Sequence, residues 1–467
     1  MPFRSSSDVY EWISRFINIE RGQSHRSFRL DRMQALAEMA GRPETKAPSF
    51  HVAGTKGKGS VTGMIAAILE ALGMKTARYA SPHVVDFRER LCMGNKFFDE
   101  DTYIRTGTEM KRIVDALHAS PQAELFDPRY ESGEEPTFFE LMTLWFFLCA
   151  RHARCDAMAV EVGMGGRLDS TNIIDPHVSV ITIIELEHTE YLGNTIAAIA
   201  GEKAGIIKPG RPLVLAEQNP EALEVFRERA KENKSPLLYF PDYAEIRNVR
   251  VNRDGTSFDL VLKTGAGPDG KTGDETFSNL FVPIPGEVQA KNAGLAVLAL
   301  KTAFPDINEK SIRAGLAAFT LPARFERISE TPALVIDGAH TKRSVEICVK
   351  TFTGLYGPGG ILIFGCAAGK DVLSMAELCV PNFSRIIITT PGSYKKSFPE
   401  EIYAVFNREA QKASNKPVVL FVPDTEEAID RAANLAFKYH FPILGTGSFY
   451  LAGEIKSRLR QVTRQFN

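Results

Sequence analysis

The sequence predicts an α/β protein in two parts: a mostly parallel sheet around a glycine-rich loop, joined by a small antiparallel hairpin, and then a second α/β unit. Three observations predict it. Phe50 to Ala53 reads as a buried strand, Gly54-Thr55-Lys56-Gly57-Lys58-Gly59-Ser60 as a loop, and Val61, Met64, Ile65, Ile68, Leu69 and Leu72 as one face of a helix. Strand-like and helical segments alternate through the chain, and the alternation restarts after Leu321-Pro322-Ala323. At 467 residues the chain is long for a single core. The expected division is therefore residues 1–321 and 324–467.

In chain order, Asp8 to Ile19 and Leu30 to Met39 read as helices, separated by the basic stretch Arg21 to Arg29. That stretch suits either a cover for an anionic substrate or a solvated connection. Thr76 to Ala80 is a strand ending at Ser81-Pro82-His83, and the charges of Phe87 to Leu91 fit either the orientation of a substrate or, as favoured here, a surface pairing. Thr137 and Glu140 form a capping box ahead of an apolar core helix. Ala157 to Val162 and Val178 to Ile184 are strands, and Ile196 to Ala204 is a helix. Val251 to Leu262 and Thr276 to Val282 form the hairpin, and Gln289 to Ala303 and Glu309 to Phe319 are helices. Leu334–Ile336, Ile361–Phe364, Arg385–Thr389, Val418–Phe421 and Phe441–Leu444 make a second parallel sheet.

The composition is that of an ordinary globular protein, 44% apolar and 24% charged with a net charge of −1. A balanced charge gives no footprint for nucleic acid or an anionic membrane. The six cysteines lack C-x-x-C spacing and fit buried, reduced thiols, which points to the cytoplasm. No segment near Met1 resembles a signal peptide, and Leu141 to Ala150 is too short to span a bilayer.

The chemistry concentrates at strand ends. A strand, glycine loop and helix aim unpaired N–H groups and the positive helix end at one point, which suits a phosphate. Lys58 would reach terminal phosphates and the Ser60 hydroxyl would ligate Mg²⁺. Glu161 ends an apolar strand and needs a partner there, either a bound metal or a buried ion pair such as one with Arg167. His188 follows the next strand and becomes a candidate beside Glu161; alone, it reads as a structural hydrogen-bonder. Lys203 reads from the residues alone as a solvated helix charge.

The ordered motifs resemble the folylpolyglutamate synthase/dihydrofolate synthase family of the Mur ligase superfamily. They are Gly54 to Ser60, Ser81-Pro82-His83 with Glu89-Arg90, Pro136 to Glu140 and Glu161 to Asn172. His188 to Gly193, Glu202 to Ile206, Asp337 to His340 and Gly447 to Tyr450 continue the set. The resemblance implies an ATP-binding, Mur-ligase-like first domain carrying the P-loop and a Rossmann-like ligase domain after it. It implies an ATP-dependent ligase adding L-glutamate to dihydropteroate, to reduced folates, or to both, through an acyl phosphate. Gly54, Thr55, Gly57, Lys58, Gly59 and Ser60 would then hold ATP, with Asn292, Arg324, Asp337 and His340 contacting it from later in the chain. Two Mg²⁺ ions are implied, one on Ser60 and Glu161 and one on Ser81, Glu161 and His188. Lys203 matches a lysine carbamylated in the family, so Lys58, Lys203 and His188 form the implied catalytic set. The resemblance also implies a cytoplasmic monomer with small-molecule substrates.

The chain departs from the family pattern at several places. Lys56 replaces Asn, Glu187 replaces Asp before His188, Val288 replaces His before Gln289, and Thr341-Lys342 follows His340 where Asn-Pro is usual. Ile183 and Glu185 also replace the usual Asn and Gly. The rival readings are a superfamily ligase with a different acid acceptor and a nucleotide-binding regulatory protein without activity.

Overall fold

A computed structural model describes residues 3–18, 28–127, 133–263, 273–392 and 395–465. The stretch 21–27 and the hairpin linker 264–272 lie outside the described residues; Arg29 pairs with Asp31 at 2.5 Å.

The first sheet has eight strands. Their spatial order is Lys96–Phe97, Leu91–Met93, Thr76–Tyr79, Ala157–Glu161, Ser49–Ala53, Val178–Ile181, Leu213–Leu215, Leu237–Tyr239. The last six are mutually parallel, and the first two add an antiparallel edge. All five residues of Ser49–Ala53 are buried, because this strand lies inside the sheet with helices on both faces. The strand order reverses around it, so connections leave to either side and open a crevice at the carboxyl ends.

The core helix Phe138–His152 begins with the expected capping box, in which Thr137 Oγ1 accepts from Glu140 N and the Glu140 carboxylate accepts from Thr137 N at 2.7 Å. Glu140 has a second task. Its other oxygen is 3.0 Å from Arg32 Nε, while Arg32 Nη1 is 2.7 Å from Glu134. Arg32 is 1% exposed, so the ion pairs fasten the helix Asp31–Met39 to the start of the core helix in a dry setting. Arg32→Ala removes a buried cation from beside two carboxylates and is expected to cost about 3 kcal/mol, read as a lower urea midpoint at neutral pH.

Three sequence expectations change. The first helix is Ser6–Ile13, shorter than the period suggested, because the amides of Arg15 and Phe16 turn back to Trp12 and Ile13 in tighter bonds. The antiparallel unit has three strands, Ala244–Asn252, Gly255–Leu262 and Glu275–Val282. Asn252 Oδ1 accepts from the amides of Asp254 and Gly255 and makes the turn that splits the run expected from Val251. The third sheet has the order Glu326–Glu330, Ala333–Ile336, Ile443–Thr446, Gly360–Phe364, Phe383–Ile388, Val418–Phe421. Five strands are parallel; Glu326–Glu330 is an antiparallel edge, which its half-buried, charged sequence concealed.

All six cysteines are free and buried. Among the described residues, no helix is long and apolar enough to cross a membrane.

Candidate active site

The glycine-rich loop leaves the central strand at Gly54, and the helix Lys58–Ala71 starts immediately after Gly57. Gly54 (φ +141°) lies so close to Thr182 that a Cβ would sit 1.8 Å from its hydroxyl oxygen. Gly57 (φ +92°) lies against Asn292, whose Oδ1 would be 2.7 Å from an added Cβ. Only glycine fits either position without displacing a neighbour. Thr55 locks the loop to the chain after Val178–Ile181: its N–H donates to Ile183 O at 2.9 Å, and its hydroxyl lies 3.1 Å from Glu185 N. No side chain caps the helix at Gly57, so its first-turn N–H groups face the crevice with the positive end of the dipole. The Lys58 ammonium is half-buried beside them and makes no hydrogen bond or ion pair with the described residues. Ser60 is 3% exposed in the same turn.

Register brings the acid to this loop. Val52 pairs with Glu161, and Tyr79 pairs with Val160, so the loop, Glu161 and Ser81 emerge side by side. A Cβ on Gly59 would meet Glu161 Oε2 at 3.3 Å, and Ser81 N lies 3.4 Å from the same oxygen. Glu161 is 5% exposed and forms no ion pair with the described residues; Arg167 instead pairs with Glu202 at 2.8 Å, which removes the Arg167 pairing. Burial raises the Glu161 pKa, against the pull of Lys58 and Arg324. A buried carboxylate with no cationic partner, next to hydroxyls and a phosphate-type loop, fits a hard cation that also takes phosphate oxygens. Among the described residues there is no cluster of three or more His, Cys, Asp or Glu suited to a metal, so such an ion would depend on Ser60, Ser81 and ligand oxygens as well.

The segment Ser81 to Arg90 is more than a surface pairing. Glu89 accepts from the amide of Val84 at 2.6 Å, and Arg90, 1% exposed, holds His83 Nδ1 at 2.9 Å. These contacts fix the turn that presents Ser81.

Lys203 is 4% exposed, which overturns its reading as a solvated charge. Its helix face is covered by the loop after Glu161, where a Cβ on Gly166 would lie 3.0 Å from Lys203 Cα. Burial, then the Lys58 charge, lowers the Lys203 pKa to about 7. His188 has a left-handed backbone (φ 54°), an uncommon conformation for a side-chain-bearing residue and one found where function constrains the chain. Desolvation is the first cause lowering its pKa to about 4, followed by Glu187 in opposition and then Lys58 and Lys203. The residue is exposed, so the ring is open to a ligand in the crevice.

Lys56 and Glu187, two of the departures noted in the sequence, meet directly, with Lys56 Nζ 2.6 Å from Glu187 Oε1. The same oxygen lies 3.5 Å from His340 Nε2, which reaches it from the third sheet. Arg324 also enters from that side, its guanidinium 4.1 Å from the centroid of the Phe449 ring. Burial lowers its pKa, and Asp337, Glu161 and Glu187 oppose that shift. Asp337 spends both oxygens on backbone amides, Phe325 N at 2.8 Å and Ala339 N at 2.7 Å, and so shapes the loop as well as facing the crevice. Lys370 follows Gly360–Phe364 and is within electrostatic reach of His188 and His340. Neither Lys370 nor Glu187 stands out in the sequence as a site residue; a charge after a parallel strand's end was the available signal.

The Mur ligase middle-domain family matches residues 102–300, and the Mur ligase glutamate ligase domain matches residues 323–449. The dihydrofolate synthase/folylpolyglutamate synthase of Bacillus subtilis (strain 168) is 31% identical over 437 residues, covering 92% of this chain and 95% of its own. The chain belongs to the folylpolyglutamate synthase/dihydrofolate synthase family. The folylpolyglutamate synthase of Lacticaseibacillus casei is likewise 31% identical, over 97% of this chain and 98% of its own. Among solved structures, Mycobacterium tuberculosis folylpolyglutamate synthase complexed with ADP and AMPPCP superposes with a TM-score of 0.82. It is 28% identical, over 98% of this chain and 97% of its own. A folylpolyglutamate synthase–AMPPCP–folate complex superposes with a TM-score of 0.78 at 29% identity, over 97% and 99%. As a member of the folylpolyglutamate synthase/dihydrofolate synthase family, the chain is a Mur-type ATP-dependent ligase.

Proposed function

We propose that this chain joins L-glutamate to the carboxylate of a folate-type acceptor, dihydropteroate or a reduced folate or both, with ATP converting that carboxylate to an acyl phosphate. The observation that carries the reading is the meeting of Lys58 and the buried carboxylate of Glu161, neither ion-paired with the described residues, at a helix N-terminus without a side-chain cap. The family's solved relatives bind ADP, AMPPCP and folate, which supports the same ligand classes here.

The chemistry follows from charge. An acceptor carboxylate oxygen attacks the γ-phosphorus and ADP leaves. The neutral amine of glutamate then attacks the acyl carbon, and phosphate leaves as the amide forms. Two anions must approach in the first step, so Lys58 and the helix N-terminus neutralise the phosphates as the charge redistributes. Gly54, Thr55, Gly57 and Gly59 shape the cradle, and Asn292, packed on Gly57, fixes its outer wall. Mg²⁺ would be held by Ser60 and Glu161, and a second ion by Ser81, Glu161 and His188, supplying charge neutralisation at the phosphates. Arg324 and His340 would close on the nucleotide from the other half, while Asp337 would reach its ribose. In this reading residues 1–321 and 324–467 are two halves that exclude water from the acyl phosphate. We place the chain in the cytoplasm as a monomer.

Lys203 would carry a carbamate. Its neutral amine attacks carbon dioxide, forming an N–C bond and releasing one proton, and the product is an anion beside Lys58. The neutral fraction grows as pH rises through about 7, so carbamate occupancy rises with it. Protein equilibrated with carbon-labelled bicarbonate is expected to show a carbamate resonance that weakens from about pH 8 to about pH 6 and is missing in Lys203→Arg. An unchanged resonance in Lys203→Arg would assign the signal elsewhere.

The ligase reading is tested with purified protein, ATP, Mg²⁺ and glutamate, with dihydropteroate or tetrahydrofolate supplied separately. ADP and a glutamylated product are expected in step with each other. ADP release that needs neither acceptor nor glutamate would sink the reading.

A further inference from the structure

Glu187 is an acid in the wrong place for a triphosphate. Its side chain is 13% exposed, and it lies within electrostatic reach of Lys58, Lys203 and Arg324, the cations that line the crevice. Lys56, two residues before Lys58, pairs with Glu187 at 2.6 Å. His340 completes the arrangement: its Nδ1 donates to Gly338 O at 2.8 Å, and its Nε2 faces the same Glu187 oxygen.

We propose that Lys56 is a positioning residue that neutralises Glu187, so that this acid beside the phosphate loop does not repel the nucleotide. The proposal rests on the ATP reading of this crevice. Lys58 is free to meet phosphate because Lys56 takes up the nearby acid. Glu185, the other carboxylate within electrostatic reach of Lys56, makes no ion pair with the described residues, and its backbone is fixed to Thr55.

The test is a charge cycle of wild type, Lys56→Asn, Glu187→Gln and the double variant, with the Kd of AMPPCP in Mg²⁺ measured by calorimetry at low and high salt. Lys56→Asn leaves an uncompensated anion and is expected to weaken AMPPCP about tenfold or more at low salt, and less at high salt. The double variant removes that anion and is expected to return to within about threefold of wild type, and Lys56→Arg to bind as wild type does. In turnover the loss should fall on the KM for ATP rather than on kcat. Equal weakening in Lys56→Asn and the double variant would show that Lys56 acts on the nucleotide itself, and an unchanged Kd in Lys56→Asn would remove any role; either overturns the proposal. Wild type that fails to bind AMPPCP would overturn the nucleotide reading beneath it, a distinct result.

Discussion

Glu161→Gln is expected to lower glutamate-dependent ADP formation at least about a hundredfold while leaving the metal-free protein as stable as wild type or more so. The two effects have opposite signs because the same burial causes both. In the folded, ligand-free protein the carboxylate is enclosed with one long backbone hydrogen bond and no ion pair with the described residues. Its folded pKa is raised above the unfolded value, so the folded state holds a proton more tightly. By linkage, stability falls as pH rises from the unfolded value through the folded one, and Glu161 is a burden at neutral pH. Glutamine removes that burden and also removes the anion that would hold Mg²⁺ against the phosphates. Thermal melts with and without Mg²⁺ and AMPPCP separate the two: the ligands should raise the wild-type midpoint and leave the variant's nearly unmoved. A variant with near-normal turnover would refute the metal role.

Lys58→Ala is the second large expectation. The ammonium makes no hydrogen bond or ion pair with the described residues and loses only its longer-range pull on Glu161, so the fold should keep its stability within about 1 kcal/mol. ADP formation should fall at least about a hundredfold, because no other side chain on the loop offers a free charge to the transferring phosphoryl group. Lys56 cannot substitute while it remains paired with Glu187 at 2.6 Å. Single-turnover measurement of ADP release checks this, and a loss confined to KM would reassign Lys58 to binding alone.

Much of this was legible because local signals and chemistry coincide. The loop lies between a five-residue buried strand and a helix whose apolar positions recur at helical spacing, so its place at a sheet's carboxyl edge could be read without coordinates. The capping box at Thr137 and Glu140 is equally local. Long-range features were not legible. Lys56 and Glu187 are 131 residues apart, and no local pattern announces that they pair. Lys203 carries an ordinary helix charge in sequence; its burial comes from the Gly166 loop crossing it. The strand Ala244–Asn252 was missed because six of its nine residues are polar or exposed, which erases the alternation a half-buried strand shows. Ordered motifs supplied what periodicity could not, since their joint order reflects a shared fold rather than any one element.

The central claim is that the acceptor carboxylate is activated by phosphorylation at Lys58 and Glu161. It is tested most directly by labelling both oxygens of that carboxylate with the heavy isotope and following the label through one turnover with ATP, Mg²⁺ and glutamate. Attack on the γ-phosphorus carries one acceptor oxygen into the phosphate that leaves, so inorganic phosphate should gain one heavy oxygen for each amide formed. Ligated product accompanied by unlabelled phosphate would contradict the account.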